Sequence, residues 1–148
     1  MIKWDFVTDT PKYDKRGMMM TETKATVTAI GKQALGHADP MVVLFGEEAT
    51  DEIASIAVIQ RFSDKAAQAQ LTMAQGDQVQ INDDRYAVTY VGRAASANLQ
   101  TLGHVALVFT DKLAGDRLQN ALYLAPLDGA LQMPEFTVGT PLVYIHQG

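Results

Sequence analysis

Apolar residues along this chain come in short bursts separated by turn residues. Most bursts are four to seven residues long, and several alternate with polar positions, the period of a half-buried β-strand. Lys24-Ala-Thr-Val-Thr-Ala-Ile30 alternates in this way and stops at Gly31. Met41–Phe45 is a continuous apolar run that starts after Pro40 and closes at Gly46. Ser55–Ile59 is a second run, preceded by the acidic segment Glu47–Glu52, which is long enough for one helical turn. Gln78–Ile81 and Tyr86–Val91 flank Asn82-Asp83-Asp84-Arg85, whose Asn and Asp residues tolerate left-handed backbone and mark a hairpin. His104–Phe109, Ala121–Leu124 and Leu142–Ile145 complete the set, and the aromatic residues Tyr123 and Tyr144 read as packing.

Helix is favoured in few places. Ala94–Leu102 carries Ala, Gln and Leu at helical spacing, and Gly103 stands where a C-terminal cap belongs. Asp64–Gln70 has helical propensity but no apolar stripe, so it reads equally as a surface turn or loop. Many short strands with little helix predict a mostly β fold: a small, partly open barrel or sandwich of short, mainly antiparallel strands, with one short helix near 94–102. Residues 1–22 read as an N-terminal extension. It is either an extra strand at Ile2–Val7, with Trp4 and Phe6 on one face and a polar linker at Asp9–Gly17, or disordered. Residues 23–148 read as the β domain.

Composition narrows the function. No apolar run approaches the roughly 18–20 residues of a membrane-spanning helix, so the protein is not expected to be membrane-embedded. The first residues, MIKWDFVTDTPKYDK, lack an apolar signal core, which predicts a cytoplasmic protein. With no cysteine, disulfides and thiolate chemistry are excluded. A formal charge of −5 without a basic cluster argues against nucleic acid and suits a basic protein partner. The acidic run Glu47, Glu48, Asp51, Glu52 is first a solvated face and second a surface for such a partner. The three histidines, His37, His104 and His146, have no metal-ligand spacing, so no metal and no cofactor are expected. His37 reads as a solvated turn residue and His146 as exposed and incidental. A lipoyl- or biotinyl-type carrier needs a lysine at a hairpin tip, and Asn82–Arg85 has none.

The segment Arg85–Phe109, RYAVTYVGRAASANLQTLGHVALVF, carries a resemblance through Tyr86, Val88, Thr89, Val91, Gly92, Asn98, Leu99, Leu102, Gly103, His104, Val105, Leu107 and Phe109. Thr26–Gly31 and Pro134–Tyr144 extend it in the same order and spacing. Over about Thr23 to Tyr144 the chain resembles the glucitol/sorbitol-specific IIA component of the bacterial phosphoenolpyruvate-dependent sugar phosphotransferase system. The resemblance implies a phosphoryl carrier between HPr and the IIB component, working with the IIB/IIC sugar transporter. It leaves oligomeric state open, a homo-oligomer included.

The family's phosphorylated histidine ends the strand that matches Ser55–Gln60, and here that position is Gln60. A glutamine amide is a poor nucleophile. His104, in the Leu-Gly-His-Val motif, is then the candidate catalytic residue, against a second reading as a histidine fixed by a backbone hydrogen bond at a strand start. Gln60, Arg61 and Asn98 are candidate binding residues that would offer amide and guanidinium donors to an anion if the fold gathers them. Two functions stay open: a IIA phosphoryl carrier, inactive if nothing replaces the acceptor, or a non-catalytic regulatory or ligand- and partner-binding module on the same fold.

Overall fold

The structure is a computed structural model that describes residues 12–13, 17, 19–36, 38–113 and 115–147. The expected strand at Ile2–Val7 and the turn residue His37 lie outside the described residues. The strands are β1 (Lys12–Tyr13), β2 (Met19–Ile30), β3 (Met41–Gly46), β4 (Val58–Phe62), β5 (Gln78–Ile81), β6 (Asp84–Val91), β7 (Val105–Phe109), β8 (Ala121–Pro126) and β9 (Pro141–Gln147). Among the described residues the helices are α1 (Asp51–Ile56), α2 (Lys65–Ala69) and α3 (Ala95–Leu102).

The sheet runs β1-β2-β4-β3-β7-β8-β6-β5-β9, and a further pairing of β2 with β9 closes eight of these strands into a barrel. Of the two architectures expected, the barrel forms, because the long strand β2 can serve two neighbours. Its first part pairs with β9, from Met20↔Gln147 to Thr26↔Pro141, and its last part pairs with β4, from Ala25↔Phe62 to Ile30↔Val58. A register shift between Val27 and Ala29 lets β2 bend from one neighbour to the other. Closure removes the unpaired edges that an open sheet would expose. Most pairs are antiparallel, while β3–β4 and β7–β8 are parallel. Within the stretch that reads as a linker, Lys12–Tyr13 pairs with Met20–Met19 as a two-residue strand outside the barrel.

Local chemistry explains the elements. Asn82 adopts φ 55° in the two-residue turn between β5 and β6, the left-handed backbone that its type tolerates. The Thr50 side chain accepts from Ile53 N, and Asp51 and Glu52 occupy the first turn, so α1 extends to Ile56. Ser55 and Ile56 therefore belong to a helix, and the strand expected at Ser55–Ile59 begins only at Val58. Asp64 caps α2 by accepting from Ala66 N and Ala67 N, which makes Asp64–Gln70 a helical turn. Gly103 ends α3 in the left-handed conformation, φ 63°, with bonds back to Asn98 and Leu99.

The barrel interior is filled by residues such as Leu44, Val58, Phe62, Ile81, Leu107, Leu122 and Tyr144, joined by Ala95 and Leu99 of α3. Outside the wall, Phe45, Ala57 and Ile59 form a second cluster against Ile53 and Ala54 of α1. The end of α3 lies directly on β3. A methyl group added at Gly46 would sit 2.7 Å from the Leu102 carbonyl oxygen, and one at Gly103 would sit 3.1 Å from Gly46 Cα. Backbone meets backbone here, so neither position has room for a side chain. Gly46→Ala is expected to lower stability by about 2–3 kcal/mol, read from the urea unfolding midpoint. An unchanged midpoint would mean that α3 is free to move off β3.

Candidate functional site

Strand β4 alternates across the wall. Val58, Gln60 and Phe62 face the interior, while Ile59 joins the outer cluster and Arg61 is exposed. Gln60 is 1% exposed, one of only four buried polar or charged residues among those described. Both ends of its amide are held. Nε2 donates to the Gly103 carbonyl oxygen at 3.0 Å, and Oε1 accepts from the Tyr144 hydroxyl at 2.8 Å. Burial pushes the Tyr144 hydroxyl far above the usual tyrosine range, with the Gln60 bond opposing that shift, so Tyr144 stays a neutral donor. The Phe62 ring stacks on Tyr144 at 5.8 Å. Parallel pairing sets Gln60 opposite Gly46, the glycine on which α3 ends.

His104 follows the glycine cap and lies on the other side of the wall. Its ring packs against Phe45 of the outer cluster, with centroids 4.7 Å apart. The His104 backbone N donates to Asn98 O at 3.2 Å, and Asn120 Nδ2 lies 3.0 Å from Nε2 and 3.3 Å from Nδ1. Asn98 Nδ2 in turn donates to Asn120 Oδ1 at 2.8 Å. Partial burial pushes the His104 imidazole below the usual histidine value.

The three candidate anion donors do not converge. Gln60 points inward to Tyr144 and Gly103, and Asn98 is engaged with Asn120. Arg61 forms a two-pronged ion pair with Glu47, at 2.9 and 3.0 Å, and this bond holds the Glu47 carboxyl below its usual range. A shallow groove borders Gln60 and Arg61 but not Asn98, and Gly46, Glu47, Lys65 and Leu102 also line it. His146 is not the incidental residue that its position implies. Its Nδ1 lies 2.6 Å from Oδ2 of the buried Asp77, whose carboxylate also accepts from Ala74 N and Gln147 N.

The family model of the PTS system glucitol/sorbitol-specific IIA component matches residues 22–143 of the chain. The chain belongs to this family. The crystal structure of a PTS system IIA component from Enterococcus faecalis V583 superposes with a TM-score of 0.72 at 42% identity, over 82% of this chain and 98% of that one. Among curated proteins, none matches.

In this IIA family member, Gln60 is a buried amide with both polar ends bonded. Tyr144 and Asn120 are the residues that sequence reasoning missed. Tyr144 does pack in the core, as its sequence position implies, but a closing strand carries no local signal of a polar partner. Asn120 sits in a turn before β8, where an asparagine needs no further explanation.

Gln60→Ala is expected to cost about 3 kcal/mol, because it leaves the Tyr144 hydroxyl and the Gly103 carbonyl without a partner. Tyr144→Phe should cost about 1–2 kcal/mol, and the pair should be less than additive. A double-mutant cycle by denaturant unfolding measures this, and strict additivity would mean that the two side chains do not interact.

The lowered midpoint of His104 also has a pH signature. The unfolded chain binds the proton more readily than the folded one. The stability from the neutral ring is therefore complete above the unfolded value of about 6.5 and is lost as pH falls toward the folded midpoint. His104→Gln should flatten the unfolding free energy over that window. Parallel curves for the two proteins would contradict the assignment.

Proposed function

We propose that this chain is a IIA-like member of the glucitol/sorbitol branch that keeps the family's barrel and partner contacts in the cytosol but carries no phosphoryl group at residue 60. The reading rests on the state of Gln60. Phosphoryl transfer to a protein nitrogen needs a free lone pair facing the donor, with the rest of the residue held in place. An amide nitrogen has its lone pair drawn into the carbonyl, and here its N–H is directed at Gly103 O in the wall of the barrel. Bringing a phosphoryl dianion to that atom would break both Gln60 bonds and bury a charge among Phe62, Tyr144 and their neighbours, a cost of several kcal/mol.

The family description supports a role within the sugar phosphotransferase system, with HPr and the IIB component as the partners. The acidic residues around α1, including Glu48, Asp51 and Glu52, are exposed and suit a basic partner surface. On this reading the chain binds one of those proteins, or reports on it, without relaying phosphate.

Incubation with phosphoenolpyruvate, enzyme I and HPr, followed by intact-mass measurement, tests the proposal. The wild-type chain is expected to gain no acid-labile phosphoryl group, while its complex with HPr is detected by titration. Labelling of Gln60→His would restore what the family does and support the reading. A wild-type gain that vanishes in His104→Ala would overturn it and make His104 the acceptor.

A further inference from the structure

Strands β3 and β7 are apolar on both faces, and the barrel interior accounts for only one of them. Val42 and Leu44 of β3 and Val105, Leu107 and Phe109 of β7 fill the interior, so the residues that alternate with them point outward. Those are Met41, Val43 and Phe45 on β3 and Ala106 and Val108 on β7. Register sets Met41 beside Val108 and Val43 beside Ala106, and the row continues from Val108 to Tyr123 of β8 and on to Tyr90 of β6. The outer face of β2 differs, with Lys24 and Thr26 exposed. A strand with two apolar faces needs a cover on each. Helix α1 supplies one at the end of β3, where Ile53 and Ala54 pack on the cluster of Phe45 and Ile59. The loop before β8 supplies another, with Leu118 N donating to the Tyr123 hydroxyl and Arg117 over the Tyr90 ring. Over Met41 and Val43, between these covers, lies a groove of about 270 Å3 whose walls include Ala34, Asp39 and Ile56. Ile56 stands 48% exposed.

We propose that this groove is a docking site for a basic protein partner, which seats one large apolar side chain on Met41, Val43 and Ile56 and sets Lys or Arg residues against Asp39, Asp51 and Glu52. Charge decides the occupant. Asp39 lines the groove, α1 contributes Asp51 and Glu52 and no basic residue, and Lys32 is the cation in the adjoining turn. A second copy of the chain, with its formal charge of −5, would bring like charge to the same rim. Burial of the apolar walls supplies affinity, and the carboxylates steer encounter and fix orientation. This site rests on the reading above, that the chain binds a protein of the phosphotransferase system, and gives that contact its place on the barrel. It lies apart from the groove that Gln60 and Arg61 border.

NMR titration of the 15N- and methyl-labelled full chain with unphosphorylated HPr tests the site. The methyl resonances of Met41, Val43 and Ile56 are expected to shift, and binding should weaken as salt is raised. Ile56→Glu should weaken the complex about tenfold or more, because it sets a charge against the apolar anchor. Reversing charge in the double variant Asp51→Lys, Glu52→Lys should slow association. All three residues are exposed, and Thr26→Glu on the outer face of β2 should leave the affinity unchanged. Shifts confined to the surroundings of Arg61, Lys65 and Gln68, with Ile56→Glu binding as tightly as wild type, would overturn the site and leave the partner reading intact. No complex at all would overturn both. Methyl shifts that follow the concentration of the chain alone, with a doubled mass in sedimentation, would overturn it in favour of a second copy.

Discussion

The amide of Gln60 ties three separate parts of the chain together at one end of the barrel. Through Gly103 it holds the cap of α3, and through Tyr144 it holds the closing strand β9, while its own backbone pairs with β2 and β3. Because it is buried, each of these bonds is formed in surroundings where an unpaired polar group would be costly. The contact between Gly46 and Gly103 depends on the same arrangement, since it brings the end of α3 so close to β3 that neither residue can carry a side chain. The position of α3 on β3 and its tie to β9 thus rest on a small set of mutually dependent contacts.

The same geometry separates two residues that lie close in space. Gln60 belongs to the interior and His104 to the outer wall, and the Gly103 carbonyl stands between them as the acceptor for one and the preceding residue of the other. The two side chains therefore share no hydrogen-bond partner atom. Each group has its own network, one ending in a neutral tyrosine and the other in a pair of asparagines. Arg61, one residue from Gln60, faces outward and is engaged by Glu47, an exposed pair of the kind that contributes little to stability.

A further clamp ties the end of β9 to the segment before β5. Asp77 is 2% exposed, and its carboxylate takes two backbone N–H groups as well as His146. A buried side chain with this many hydrogen-bond partners leaves neither oxygen unsatisfied. Its place next to the β5–β9 pairing makes it part of barrel closure.

The strands, the turn at Asn82, the helix ended by Gly103 and the family itself were legible in residue order, because each rests on a local pattern: alternation, turn chemistry, a cap, a spaced motif. Helix α1 blurred the edge of β4, since Ser55 and Ile56 satisfy a strand pattern as well as a helix begun by Thr50. Closure of the barrel, the inward lock on Gln60 and the pairing of Asn98 with Asn120 beside His104 were decided only in three dimensions. Gln60 meets partners 43 and 84 positions away in sequence. Asn120 reaches residues 16 and 22 positions away. A hydrogen bond is specified by which donor and acceptor arrive at one point after the chain has closed, and no local pattern of apolar and polar residues records that arrival.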